Sequence, residues 1–147
     1  MRLAVIGSTN GTDLVPIVDA INSGELLASV EVVISNNELS GILKKAGSYG
    51  IESHFICHKN KKRDVFDLEM SQILESKKID LILLIGFMRI LSSGFVERWR
   101  GKIINVHPSL LPKYAGGMNN DVHESVLAAG DKESGCTIHL AVSYTHL

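Results

Sequence analysis

The stretch Ile79-Asp80-Leu81-Ile82-Leu83-Leu84-Ile85 is an almost unbroken run of isoleucine and leucine. A short, continuously apolar run is typical of a strand that is buried on both faces of a parallel sheet, because a strand with one wet face alternates apolar and polar residues. We therefore predict that this stretch is a central strand of an α/β fold.

Shorter apolar runs and amphipathic stretches alternate along the rest of the chain. The sequence predicts further strands at residues 3–6, 30–34, 53–57 and 102–106, and helices at residues 13–22, 39–49 and 63–76. Regular alternation with short connections is typical of parallel sheets. We predict one Rossmann-like domain over residues 1–140, with a mostly parallel sheet and helices on both faces.

Composition and charge argue against several classes of protein. The chain has 147 residues, a net charge of −1 and 45% hydrophobic residues, which suits one globular domain. A nearly neutral chain has no basic field for nucleic acid, and no stretch approaches the roughly 20 apolar residues that span a bilayer. Two cysteines, Cys57 and Cys136, suit a reduced compartment, and residues 1–7 suit a first strand better than a signal peptide. These features favour a cytoplasmic protein with small-molecule substrates.

The loop Gly7-Ser8-Thr9-Asn10-Gly11-Thr12-Asp13-Leu14 joins the first strand to the first helix. Glycines and free amides at a helix N-terminus can hold a phosphate, but the loop fits neither a Walker motif nor G-x-G-x-x-G. It could equally be a turn in which Thr12 caps the helix. Residues 34–37 lack the acidic residue of a dinucleotide site, which disfavours an oxidoreductase.

The stretch from Ile103 to Pro112, Ile-Ile-Asn-Val-His-Pro-Ser-Leu-Leu-Pro, carries candidate chemistry. Alternation along a strand points Asn105 and His107 the same way, at the carboxyl edge where ligands bind. An amide can bind an oxyanion and an imidazole can move a proton near neutral pH, which suits acyl transfer. A lone strand-end histidine more often bonds backbone, but Asn105 and the two prolines favour a functional role. No serine or cysteine stands in a nucleophile elbow, so direct attack by a substrate amine is the simpler scheme.

Residues 105–112 resemble the signature of the formyltetrahydrofolate-dependent transferase and hydrolase family. Residues 85–92 are similar to that family's folate loop, and residues 123–127 and 130–139 agree in order and spacing. The resemblance extends to about Leu140. It implies a formyltransferase-type fold and transfer of a formyl group from 10-formyltetrahydrofolate to the amine of glycinamide ribonucleotide in purine synthesis, without a metal.

The resemblance also implies roles for individual residues. Residues that would contact the ribonucleotide phosphate, mostly through backbone amides, are Gly11, Thr12 and Asp13. Residues that would form the folate site are Arg63, Met88, Arg89, Ile90, Leu91, Val96 and Asn105. Asn105 would also bind the formyl oxygen, and His107 would donate or shuttle the proton. Without the resemblance, the apolar members of the folate set would be read as core and Arg89 as a surface cation.

Two departures from the family pattern stand out. The family's third catalytic group is an aspartate, and by spacing His146 occupies its place. The tail of residues 141–147 ceases to resemble the family and is of doubtful origin, so we expect the C-terminal strands to be missing and the 147-residue chain itself to be poorly active. Residues 115–122 form a longer segment than the common family form, which bears on substrate identity.

Several alternatives remain open. Within the family these are methionyl-tRNA formyltransferase and formyltetrahydrofolate deformylase, and outside catalysis a ribonucleotide- or folate-binding module. A metal site is weaker, because strand alternation places His54 and Cys57 on opposite faces. The oligomeric state could be monomer or homodimer.

Overall fold

The computed structural model describes residues 1–107 and 137–140. The strands are β1 (Arg2–Ile6), β2 (Ser29–Ser35), β3 (Ser53–Phe55), β4 (Leu81–Ile85), β5 (Ile103–His107) and β6 (Thr137–Leu140). The helices are α1 (Leu14–Asn22), α2 (Gly41–Ser48), α3 (Arg63–Ser76) and α4 (Ser93–Arg98). All eight elements predicted within residues 1–107 are therefore present, with ends shifted by at most two residues, and the structure adds α4.

The six strands form one sheet in the order β3-β2-β1-β4-β5-β6. The first five are parallel to their neighbours, and β6 runs antiparallel to β5. The predicted mostly parallel sheet is confirmed. The run that suggested it, β4, lies between β1 and β5 near the middle of the sheet.

Helices cover both faces, as predicted. On one face α3 and α4 pack on the sheet through a cluster that includes Phe66, Met70 and Trp99. On the other face α1 and α2 pack through a second cluster that includes Leu14 and Ile42. Burial alternates along the strands between these two clusters, which explains why β1, β2 and β4 are apolar at almost every position.

Element ends differ from the prediction for local reasons. The strand predicted from Ile79 begins at Leu81, because the Ile79 amide bonds the Leu74 carbonyl at the end of α3. β3 is only three residues long and lies at the sheet edge, where pairing is available on one side alone. α1 begins at Leu14, with Asp13 rather than Thr12 in the N-cap position, and Asp13 makes no side-chain capping bond.

Candidate functional site

The order of the strands in the sheet indicates where a ligand would bind. The chain runs from β1 outward through β2 to β3, and α3 then carries it back to β4 on the opposite side of β1. Ligands of open α/β sheets bind at such a reversal, outside the carboxyl ends of the strands. Here the reversal lies between the loop after β1, residues 7–13, and the segment after β4, residues 86–92.

These two loops are bonded to each other. The Ser8 amide donates to the Gly86 carbonyl at 3.0 Å, and the Met88 amide donates to Ser8 Oγ at 3.0 Å. The same Ser8 hydroxyl donates to Asn36 Oδ1 at 2.5 Å. Ser8 therefore joins the carboxyl ends of β1, β2 and β4 at the reversal point.

The 7–13 loop has features that suit an anion. Gly11 adopts φ +65°, a conformation that L side chains rarely take, and a Cβ on it would lie 2.4 Å from Ile42. Among the described residues, no backbone carbonyl accepts a hydrogen bond from the amides of Thr12 and Asp13. Lys45 of α2 brings its ammonium to the Asn10 carbonyl at 2.6 Å, so a cation adjoins the loop. Lys45 was not predicted to lie here, because α2 meets the loop only in the folded chain.

The 86–92 segment combines exposed and buried residues. Met88 and Ile90 are large apolar side chains with exposed fractions of 59% and 43%. Leu91 and Val96, also predicted to line the folate site, are buried in the α3–α4 cluster. The segment therefore exposes apolar surface at Met88 and Ile90, and Leu91 anchors it in the core.

Arg89 lies between these apolar residues. Its guanidinium carbon sits over the Phe66 ring, 4.8 Å from the ring centroid, which is a cation–π arrangement. Its Nε atom is buried and has no hydrogen-bond partner among the described residues. Arg63, at the start of α3, is exposed. Arg89 is thus a half-buried cation with an unused donor, not the simple surface cation of the alternative interpretation.

A cleft with both polar and apolar walls adjoins the reversal point on the β2–β3 side. Its volume is about 570 Å³, and its walls include Ser8, Asn36, His58, Lys59 and Met88. Asn36 Nδ2 lies 3.3 Å from His58 Nδ1, which extends the Ser8 contacts to the end of β3. Neither Asn36 nor His58 was predicted to lie at the reversal point.

Asp67 is a buried carboxylate on α3, with 3% of its surface exposed. Its Oδ2 accepts a hydrogen bond from the Ser92 amide at 2.6 Å. Burial raises the pKa of Asp67 above its usual range, and this effect is opposed by the bonds from Ser92 and the charges of Arg89 and Arg63. Asp67 was also missed by sequence reasoning, which read this helix only for its apolar face.

The raised pKa of Asp67 predicts a pH dependence of stability. The protonated form is favoured in the folded protein, so its stabilising contribution is full below the usual aspartate pKa of about 3.9 and is lost as the pH rises through the raised pKa. We therefore compare the unfolding free energy of the unmodified chain with that of Asp67→Asn. The difference between them should fall as the pH rises from the usual aspartate pKa through the raised pKa of Asp67. Urea unfolding followed by Trp99 fluorescence measures it, and a pH-independent difference would contradict the prediction.

Asn105 occupies the third position of β5, opposite Leu84 of β4. It is buried, as is Ile103 two residues earlier, whereas Ile104 and Val106 are half-buried. Ile103 belongs to the α3–α4 cluster, so strand alternation places Asn105 on the face that carries the 86–92 segment. His107 is the last residue of β5 and pairs with Thr137 of β6.

Some predicted features lie outside the described residues. These are Pro108, Pro112, the 115–122 segment, residues 123–127, most of residues 130–139 and the 141–147 tail. Within residues 1–107 and 137–140, no three histidine, cysteine, aspartate or glutamate side chains are grouped so that they could hold a metal ion. In the same ranges, no helix is both long and apolar enough to cross a bilayer.

Comparison with known proteins agrees with this geometry. The trifunctional purine biosynthetic protein adenosine-3 of Drosophila melanogaster is 45% identical over 141 residues, which are 94% of this chain and 10% of that protein. The phosphoribosylglycinamide formyltransferase of Haemophilus influenzae is 40% identical over 139 residues, 94% of this chain and 64% of that protein. The chain thus spans less than two thirds of the length of these relatives.

A solved structure is similar to this chain over nearly its whole length. The phosphoribosylglycinamide formyltransferase of Coxiella burnetii superposes with a TM-score of 0.84 at 38% identity, covering 96% of this chain and 65% of that one. The sequence profile described as formyl transferase matches residues 1–143. Since that match includes both loops at the strand reversal and Asn105 on β5, the chain belongs to the formyl transferase family.

Proposed function

We propose that this chain carries the site for transfer of a formyl group from 10-formyltetrahydrofolate to the amine of glycinamide ribonucleotide. The observation that carries the proposal is the placement of two loops at one strand reversal, one suited to an anion and one with exposed apolar residues, beside the buried amide of Asn105. The relatives include a phosphoribosylglycinamide formyltransferase, which supports this acceptor. We place the reaction in the cytoplasm, with a monomer or homodimer acting on small molecules.

The mechanism assigns one task to each part. The ribonucleotide phosphate binds the amides of residues 11–13, and the pteridine lies against Met88, Arg89 and Ile90. The glycinamide amine attacks the formyl carbon, and Asn105 donates a hydrogen bond to the oxyanion that forms. The bond from carbon to N10 of the folate then breaks, while a proton passes from the attacking nitrogen to N10 with His107 as the shuttle. Tetrahydrofolate and formylated ribonucleotide are the products.

The reaction is tested with two proteins, because the relatives are longer than the matched region. One is the 147-residue chain. The other, called the extended protein, continues residues 1–140 with the remaining C-terminal part of the Haemophilus influenzae relative. Product is measured by mass spectrometry with glycinamide ribonucleotide and formyltetrahydrofolate. Transfer by the extended protein would support the proposal. A folded extended protein that releases only formate would indicate the hydrolase reaction, and one that does neither would contradict formyl transfer.

Lys45 gives a sharper test of the phosphate position. We expect Lys45→Gln in the extended protein to raise KM for glycinamide ribonucleotide about three- to fivefold with kcat unchanged, because an exposed charge pair contributes up to ~1 kcal/mol. The effect should shrink as salt is added, since ions screen such pairs. Lys44→Gln is the matched control, since Lys44 is the exposed preceding residue of the same helix. Equal effects of the two substitutions would contradict the placement.

A further inference from the structure

We propose that Asp67 is a positioning residue for the folate site, which fixes the carboxyl end of the 86–92 segment and aligns Arg89 within it. Asp67 is 3% exposed and lines a cavity of about 250 Å³ between α3 and α4 whose walls do not include Met88 or Ile90, so we do not place its carboxylate against the pteridine. It acts through Ser92 and Arg89. This inference rests on the proposed function, which assigns the segment to the pteridine.

The first contact is with the backbone at the end of the segment. Ser92 donates its amide hydrogen to Asp67 at 2.6 Å, while Ser92 Oγ accepts from the Phe95 amide at 3.2 Å and caps α4. The Ser92 backbone is thereby fixed to α3 on one side and to α4 on the other. At the opposite end of the segment, the Met88 amide bonds Ser8. Arg89, Ile90 and Leu91 thus lie between two side-chain hydrogen bonds, and Leu91 is also buried in the α3–α4 cluster.

The second contact is electrostatic. The Asp67 carboxylate attracts Arg89 and Arg63, the two cations that the family resemblance assigns to the folate site. Phe66, its neighbour in α3, lies under the Arg89 guanidinium. Adjacent residues of one helix therefore provide a ring face and a negative charge for the same arginine. Among the described residues Arg89 Nε has no hydrogen-bond partner, and we assign this donor to a ligand acceptor.

The cost of burying Asp67 argues against a purely structural role. A carboxylate loses solvation when it is buried, and an apolar residue of similar size usually packs at lower cost. The bonds from Ser92 alone compensate little of this cost if helix packing were the only result. Fixing a ligand-binding segment gives the carboxylate a function that an apolar side chain cannot supply.

The test compares three variants of the 147-residue chain. Asp67→Ala removes the acceptor and the charge, and Asp67→Asn keeps an acceptor but removes the charge. Ser71→Ala is the matched control, because Ser71 is equally buried on α3 and its hydroxyl accepts a hydrogen bond from Trp99 Nε1 at 3.1 Å, outside the 86–92 segment. Hydrogen exchange of the amides of residues 88–92 is measured without ligand, and the affinity for 5-formyltetrahydrofolate is measured by calorimetry.

We expect Asp67→Ala to speed exchange at Ser92 and its neighbours about tenfold and to weaken folate binding about tenfold, as expected for the loss of a hydrogen bond to a charged group. Asp67→Asn should show a smaller change, about threefold, because a neutral acceptor remains. Ser71→Ala should lower overall stability but leave both quantities near those of the unmodified chain.

Each outcome decides the inference. Exchange in residues 88–92 that is no faster in Asp67→Ala than in Ser71→Ala would overturn the positioning role. If Asp67→Ala does not fold, Asp67→Asn decides, because it keeps an acceptor for Ser92. If the unmodified chain binds no folate, the proposed function fails for this chain, whereas the exchange data still test whether Asp67 holds the segment.

Discussion

Asn105→Ala in the extended protein is expected to lower kcat for formyl transfer by about 10²–10³-fold, the usual effect of removing one oxyanion donor. KM for both substrates should change little, because the proposed hydrogen bond strengthens only as charge develops on the formyl oxygen. Asn105 is 7% exposed on the face that carries the 86–92 segment, so its amide is held in place and screened from water. Single-turnover product formation measures the chemical step directly.

Two companion substitutions separate catalysis from folding. Asn105→Asp keeps the shape but places a negative oxygen where the amide donor was, so we expect a loss at least as large. Ile104→Val changes packing on the opposite face of the same strand and should leave kcat near that of the unmodified protein. An Asn105→Asp protein with near-normal kcat would remove Asn105 from the mechanism.

Periodicity predicted the elements that depend on local pattern. α3 matches its prediction at both ends, because its apolar positions recur at helical spacing and face one cluster. β4 was recognisable because a strand covered on both faces is apolar throughout. The α2 prediction began two residues early, since Ser40 takes an extended conformation before the helix. Residue patterns thus predicted the fold, whereas the assignment of residues 88–91 to the folate site came from the family resemblance.

The contacts that build the site were not predictable in the same way. Ser8 and Asn36 are 28 residues apart, and Ser92 and Asp67 are 25 apart, so no local pattern links them. Their contacts depend on the strand order that places β1 between β2 and β4. Single polar residues such as Asp67 and Lys45 resemble ordinary helix residues until that order is known. Topology therefore had to be seen before these side chains could be assigned a purpose.

Gly7 shows how tightly the strand reversal is packed. It follows β1 directly, and its amide bonds the Ile34 carbonyl of β2. A Cβ on Gly7 would lie 2.3 Å from the backbone oxygen of Ile85 in β4 and 2.8 Å from the Ile42 side chain. The first of these atoms belongs to the main chain of a central strand and cannot rotate away. A side chain here would push β1 and β4 apart at the point where the two ligand-binding loops begin.

Gly7→Ala is therefore expected to destabilise the protein by about 3 kcal/mol, at the upper end for overpacked core positions. Urea unfolding of the 147-residue chain, followed by the fluorescence of its single tryptophan, measures this loss. Gly47→Ala is the matched control, because Gly47 lies in α2 with nothing within 4 Å of its Cβ position and should gain up to ~1 kcal/mol from helix propensity. If Gly7→Ala lowers the unfolding free energy and Gly47→Ala raises it, the close approach of β1 and β4 requires glycine at position 7. If Gly7→Ala matched Gly47→Ala instead, the two strands could separate at little cost, and the rigid spacing of the two loops assumed in the mechanism would be wrong.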